Sequence, residues 1–402
     1  MKKLLALLLV AVMLFSFAAC GGSDDTSSTG SDAAADDFKI GIICLHDENS
    51  TYDNNFIQAI YAAQKALGLK DDQVLLKVNI PEDDACYNAA AELVDAGCDI
   101  VFADSFGHET YMIEAAKEFT EVQFCHATGT KAQTENLANY HNAFASIYEG
   151  RFLAGVAAGM KLNQMIADGK ITKDQAKIGY VGAFNYAEVV SGLTSFYLGV
   201  RYICPSVTMK VQYTNSWFDI AKEKEAALNL INSGCVLISQ HADSEGAPKA
   251  CEEKGVPNVA YNISTISMGP NTAIISSKID WTPYFKMIIE NYKAGKAIPT
   301  DYCGTIETGS VALTELNDKV AAPGTAEKIE EIKAKLISKE IKVFDTKTFT
   351  VGGKELTTYT ADVVDMGDFQ PETEAIENGA FTESSKRSAP YFDIKYIDGI
   401  SE

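Results

Sequence analysis

Residues 38–60 read FKIGIICLHDENSTYDNNFIQAI: a short apolar strand, a polar loop and the start of a helix. Ile40, Ile42, Ile43 and Leu45 make a nearly continuous apolar run, the pattern of a strand covered on both faces. Residues 46–55 are almost wholly polar, and from there Phe56, Ala59, Ile60 and Ala63 recur at helical spacing. In an open parallel sheet, ligands bind beyond the carboxyl ends of the strands, where such a loop lies. The strand has a near copy: Lys39-Ile40-Gly41-Ile42 returns as Lys177-Ile178-Gly179-Tyr180. The repeat predicts the first strands of two similar lobes with a cleft between them.

The surrounding chain keeps the same alternation. Strands are expected over 73–80, 98–103 and 122–125. A helix opens at Pro81-Glu82-Asp83-Asp84, with proline in its first turn and acids at its positive end, and stops at Gly97. Another helix is expected over 112–119. Strand and helix in strict alternation mean an α/β fold with a mostly parallel sheet. Residues 139–149 lack a clear period and are assigned the first crossing between lobes. The second lobe repeats the plan, with strands over 177–181, 208–213, 235–239 and 258–261. After a strand at 272–276 and a helix at 281–293, a charged helical stretch occupies 324–342. A hairpin is expected around Gly352-Gly353. The predicted division is 38–145 for lobe 1, 146–265 for lobe 2, 266–342 for the return to lobe 1 and hinge, and 343–402 for an irregular extension wrapped on the surface.

Composition is that of a globular protein, with 47% hydrophobic and 22% charged residues, and 402 residues allow two or three domains. The N-terminus departs from this. Met1-Lys2-Lys3 precedes an apolar run over 4–19, then Cys20-Gly21-Gly22, the build of a secretory signal peptide. Such a run is short for a membrane span. A cysteine at the cleavage point resembles the lipobox of bacterial lipoproteins, which implies lipid on Cys20 and a protein held on the outer face of the cell membrane. Residues 20–37, rich in Gly, Ser, Ala and Asp, read as a flexible tether. The net charge of −21 argues against nucleic acid as a partner, since neutralising phosphates needs a basic surface. No CxxC pair occurs among the nine cysteines, so the zinc and thioredoxin-type signatures are absent. Most of the cysteines read as small buried hydrophobes, with disulfide pairing left open.

The loops after the predicted strands carry the chemistry. Four of the five histidines, His46, His108, His126 and His241, follow strands, as do Asp47, Glu48, Asp53, Asp104, Glu109, Asp243 and Glu245. A cleft lined by such loops is acidic and suits a polyhydroxylated or cationic ligand, because carboxylates accept hydroxyl and ammonium hydrogens. Phe56, Phe106, Phe184 and Trp217 lie in or beside the same loops. Aromatic faces with acceptors between them suit a flat heterocycle and a sugar. The histidines sit on separate loops without short ligand spacing, so they read as rim hydrogen-bonders rather than metal ligands. The chain has no GxSxG, no P-loop and no GxGxxG after the first strand. Neither an enzymatic activity nor a cofactor is expected.

Particular strings add to this reading. Glu149-Gly150-Arg151-Phe152-Leu153-Ala154-Gly155 resembles the EGSFLAG segment of the basic membrane protein family, ABC-transporter substrate-binding lipoproteins that include purine nucleoside receptors. Lys177-Ile178-Gly179-Tyr180-Val181-Gly182 is similar to that family's KIGFVGG, residues 217–227 (WFDIAKEKEAA) to its FNDPAKGKEAA, and residues 53–58 (DNNFIQ) to its DKSFNQ. The resemblance implies a type I periplasmic-binding-protein-like fold. Two Rossmann-like lobes, joined by a multi-crossing hinge, would close on a nucleoside-like small molecule and deliver it to ABC permease subunits. It places Phe56 and Trp217 on either side of the base. Asp104 falls near a base-contacting acid, Asp243 near the ribose hydroxyls, and Lys278 at the last crossing. Asp53, Phe106, His46, His241 and Asn262 complete the expected ligand shell. The sequence departs from the family pattern where Ile57 replaces an Asn, Asn262 replaces an acid, and residues 241–246 (HADSEG) replace a Gly-rich loop. The alternatives are a ligand sensor for a membrane partner or a lipoprotein acting enzymatically on nucleosides.

Overall fold

The computed structural model describes residues 37–364 and 370–402. The predicted signal peptide, the lipidation site Cys20 and all but the last residue of the tether lie outside those residues.

The first lobe grows from the opening stretch. Strand β1 (Ile40–Ile43) is buried along its whole length, and helix α1 (Thr51–Leu67) follows the polar loop. The Ser50 side chain caps α1 by accepting from Asp53 N, and Gly68, at φ 67°, ends it. The chain continues through β2 (Val74–Lys77), α2 (Asp84–Asp95), β3 (Ile100–Ala103), α3 (Glu109–Glu118), β4 (Gln123–Ala127), the short α4 (Ala132–Glu135) and β5 (Tyr140–Ala145). The region without a readable period thus holds a strand, β5, buried at every position. It shows no alternation because neither of its faces meets water.

The second lobe comprises α5 (Ile147–Ala167), β6 (Lys177–Gly182), α6 (Ala187–Ile203), β7 (Thr208–Tyr213), α7 (Ile220–Asn232), β8 (Leu237–His241), α8 (Gly246–Lys254), β9 (Asn258–Tyr261) and β10 (Ala273–Ile279). Then come α9 (Thr282–Lys293), β11 (Asp301–Gly304), β12 (Val311–Leu313) and α10 (Thr325–Ile337). Two small antiparallel pairs follow, β13 (Thr360–Ala361) with β14 (Thr373–Glu374) and β15 (Ile376–Glu377) with β16 (Ala380–Phe381), before β17 (Ile400–Ser401).

One sheet has the order β11-β5-β4-β3-β1-β2 and the other β12-β10-β9-β8-β6-β7-β17. In both, the pairings are parallel except that of β12 with β10. Parallel strands need crossovers, and the helices supply them on both faces of each sheet. Helices α5 and α6 touch backbone to backbone. A Cβ on Gly199 would sit 2.1 Å from Phe152 O, and one on Gly155 2.2 Å from Phe196 O.

The chain passes between sheets after β5, after β10 and between β11 and β12. These passes are tied together by Ser146 N donating to Gly304 O at 2.9 Å and Asp280 N to Ser310 O at 2.7 Å. The course of residues 266–342 differs from expectation. Strand β10, strand β12 and helix α10 stay with the second sheet, and only α9 and β11 join the first lobe. Strand β10 pairs along β9 and is buried at six of its seven positions, so leaving the second sheet before Ile279 would strip an interior strand.

The extension is more than a surface wrap. Phe344, Phe381 and Phe392 are buried together, with Phe344 stacked on Phe392 at 4.3 Å, and β17 adds a parallel edge strand beside β7. Ser388 N donates to Asp301 Oδ2 at 2.8 Å in the first lobe, and Ser191 Oγ to Glu383 Oε1 at 3.2 Å in the second. Among the described residues, the eight cysteines are free thiols, and no helix is long and apolar enough to cross a membrane.

Candidate functional site

The carboxyl ends of β1, β3 and β4 face those of β6, β7 and β8 across a cleft. The first lobe lines it with Leu45, His46, Tyr52, Asp53, Ser105, Phe106 and Thr128; the second contributes Glu188, Trp217, His241 and Asp243. Counted out to its solvent-open mouth, the space between them is about 350 Å³. The lobes touch across it. Thr51 N donates to Asp243 O at 2.7 Å, the His46 ring lies 5.3 Å from Phe218, and Phe106 lies 5.9 Å from Tyr186.

Asp53 is held by its own loop and helix start. His46 N donates to Oδ1 at 2.8 Å and Ser50 Oγ to Oδ2 at 2.5 Å, with His46 Nδ1 3.4 Å from Oδ2. Burial pushes its carboxyl up, but the bonds from His46 and Ser50 outweigh burial and leave it below its ordinary value. Asp104 sits just behind the wall, fully buried. Its Oδ1 accepts from Leu45 N at 3.1 Å, and its carbonyl accepts from the Tyr52 hydroxyl at 2.7 Å. Burial and then the Asp53 charge hold the Asp104 carboxyl well above the usual range. Cys44, Asp53 and Asp104 bring a thiol and two carboxylate oxygens within 4.8 Å of one another.

In the second lobe, His241 Nε2 lies 3.4 Å from Glu188 Oε1. Burial, and then the nearby Arg151, hold this imidazole down at about 4. Arg151, on α5, is 1% exposed. Its guanidinium lies 3.3 Å over the Tyr261 ring, and Nη1 donates to Gln240 O at 3.0 Å. Asp243 is raised well above its ordinary value by burial and then by the charges of Glu223, Asp53 and Glu188. Trp217 is half-buried, edge-on to Phe184 at 5.0 Å.

The structure places the predicted residues unevenly. Trp217, Asp53, Asp243, His46, His241 and Phe106 line the cleft. Phe56 does not, and its assignment as a cleft wall is corrected. It is 0% exposed, stacked on Trp281 at 4.5 Å and 5.6 Å from Phe102. It lies one turn beyond the cleft-facing start of α1, where α9 brings Trp281 against it. Tyr52, one turn earlier, is the aromatic that α1 gives the cleft. Lys278 is likewise not a lining residue; its ammonium lies 4.0 Å from Asp280 beside the crossing. Asn262 acts at one remove, with Nδ2 3.4 Å from Asp243 Oδ1. His108 and His126 are buried on the carbonyls of Ile80 and Ser105, at 2.9 and 2.7 Å. Sequence reasoning missed Tyr52, Ser105, Thr128 and Glu188. An aromatic at helical spacing before Phe56 and an acid in the first turn after the β6 loop were the available signals.

Residues 41–347 match the family model Bmp, described as ABC transporter substrate-binding protein PnrA-like. The chain is 32% identical over 259 residues to a purine-binding protein of Brucella abortus, covering 64% of this chain and 69% of that one. It is also 32% identical over 251 residues to TsgA13 of Haloferax volcanii, named for glucose binding by an ABC transporter, spanning 62% of this chain but only 60% of the relative. The nucleoside-binding protein BmpA of Lactococcus lactis is 24% identical over 262 residues, covering 63% of this chain and 69% of that one. In fold, the chain is similar to ABC-transporter solute-binding proteins from Conexibacter woesei and Aeropyrum pernix. Both have a TM-score of 0.63, with 19% and 17% identity; each covers 76% of this chain, and they match over 98% and 93% of their own.

Proposed function

We infer that this protein, which belongs to the Bmp family of PnrA-like ABC transporter substrate-binding proteins, captures a small flat nitrogen heterocycle of the purine or nucleoside kind by closing its two lobes. The observation that carries the reading is the joint presence of Tyr52 from one lobe and Trp217 from the other in one cleft that Asp53, Asp243 and Glu188 also line. Stacking on an aromatic side chain is worth about 1–3 kcal/mol per base, and carboxylates accept hydrogens from ring N–H, amino and ribose hydroxyl groups. Contacts made to both lobes at once favour the closed arrangement, so ligand and closure stabilise each other. The names of the Brucella and Lactococcus relatives support the same ligand class.

In this reading the closed, loaded form is what the permease subunits of an importer recognise. Lipid on Cys20 holds the protein at the outer membrane face, and residues 20–37 serve as its leash. No residue is assigned a catalytic role. The test is a thermal-shift screen of the purified full-length chain with adenine, adenosine, guanosine, riboflavin and D-glucose, because a ligand that binds only the folded state raises its Tm. A rise with the heterocycles is expected. A rise with glucose alone would overturn the heterocycle reading in favour of a sugar.

A further inference from the structure

We propose that the ligand of this cleft carries a positive charge: a flat heterocycle with a quaternised or protonated ring nitrogen. The proposal rests on the heterocycle reading above and adds the charge to it.

Among the described residues, three carboxylates, Asp53, Glu188 and Asp243, line the cleft, and no lysine or arginine does. The hydroxyl donors of the lining are already engaged inside the protein. Tyr52 donates to Asp104 O, Ser105 Oγ to Glu82 Oε1 at 2.6 Å, and Thr128 Oγ1 to Ala127 O. What these hydroxyl side chains offer a ligand is therefore mainly acceptors, and the donors left in the lining are the Trp217 indole N–H and the imidazoles of His46 and His241. A neutral purine presents ring nitrogens or carbonyls that need donors in return, and an unmet buried acceptor is costly. A ring nitrogen that is quaternised or protonated is no longer an acceptor and brings positive charge, with an N–H donor where it is protonated.

Charge balance points the same way. Asp243 is faced by Asp53 from α1, Glu188 from α6 and Glu223 from α7; Arg151 from α5 and Tyr261 of β9 also lie near it, and Asn262 Nδ2 is 3.4 Å from its Oδ1. Behind the opposite wall, Asp104 Oδ2 is buried without a hydrogen-bond partner. Arg151 is the buried cation of this group, and its guanidinium is laid on Tyr261 and bonded to Gln240 O. A hydroxyl or amide can satisfy a carboxylate's hydrogen bonds but cannot offset its repulsion from other carboxylates; a cation does both. The wall also carries the aromatic side chains of Tyr52, Phe106 and Trp217, and π faces attract cations. A cation bound there favours the ionised form of Asp243.

The test is isothermal titration of the full-length chain near neutral pH with three ligands. These are adenosine, 1-methyladenosine (protonated at neutral pH) and N6-methyladenosine (neutral, with the same added methyl). The expected result is that 1-methyladenosine binds at least about tenfold more tightly than either neutral ligand. Its binding heat should also change with the ionisation enthalpy of the buffer, reporting proton release. The preference should shrink in Glu188→Gln and Asp243→Asn variants that keep the wild-type circular dichroism spectrum. Neutral ligands binding as tightly as the cation would overturn the charge and leave the heterocycle reading standing. Binding of none of the three overturns both, and a preference undiminished in both variants overturns the assignment of the charge to these acids.

Discussion

Tyr52 and Phe56 sit one helical turn apart, and the difference between them decides how the cleft is built. Periodicity puts both on one face of α1. Only the arrival of Trp281 from far along the chain shows that Phe56 is core and Tyr52 is wall. Their truncations should therefore separate. Phe56→Ala is expected to cost about 3–5 kcal/mol of stability, as for a buried Phe, read from the urea midpoint. Trp217→Ala should raise the Kd of the captured heterocycle by about 5- to 150-fold, from the loss of a stacking face, with little change in that midpoint. An unaltered Kd in Trp217→Ala would remove this side chain from the site. Histidine shows the same limit of legibility. Four follow strands, yet two are spent on backbone carbonyls inside the first lobe, because a loop's position does not say which way its side chains turn.

At the scale of elements, the C-terminal extension carries a pH dependence. Its Glu383 is fully buried, accepting from Ser191 Oγ at 3.2 Å and Tyr391 N at 3.1 Å, and burial raises its carboxyl from 4.5 to about 8. Between those values the folded chain holds a proton that the unfolded chain has lost. The contribution to stability is therefore complete below about 4.5 and is lost as pH rises toward 8. Glu223, at the start of α7 and raised to about 7 by burial, acts in the same direction. Glu383→Gln is expected to match the native chain near pH 5 and to exceed its urea midpoint at pH 8; an identical pH profile would contradict the assignment. The family match ends at residue 347, yet the extension supplies an edge strand and a buried aromatic cluster. Its weak periodicity reflects short, irregular segments whose aromatic side chains meet one another across many residues, as Phe344 meets Phe392, rather than along one helix or strand.

For the whole molecule, two sheets built on one plan are joined on one side by three passes of the chain, and across the cleft by a few polar and aromatic contacts, among them Thr51 to Asp243, His46 to Phe218 and Phe106 to Tyr186. Such contacts are weak beside the buried cores of the lobes, so the closed form depends on what lies between them. Small-angle scattering should show the radius of gyration falling when the ligand is added to the full-length chain. A radius that does not change on saturation would count against capture by closure.

Local patterning was enough to establish the two α/β lobes, the position of the cleft beyond the strand ends and the acidic, aromatic character of its loops. Strand and helix periods, caps and turn residues are properties of neighbouring amino acids. The sequence placed Asp53, Asp243, His46, His241, Phe106 and Trp217 at strand ends and helix starts, where backbone direction alone carries a side chain toward the gap. Tertiary structure alone decided that Tyr52 rather than Phe56 lines the cleft, that Glu188 joins the acids and that β10 stays in the second sheet. Each of those outcomes depends on a partner from a distant segment, Trp281, His241 or β9, and no local pattern encodes which distant segment will pack there.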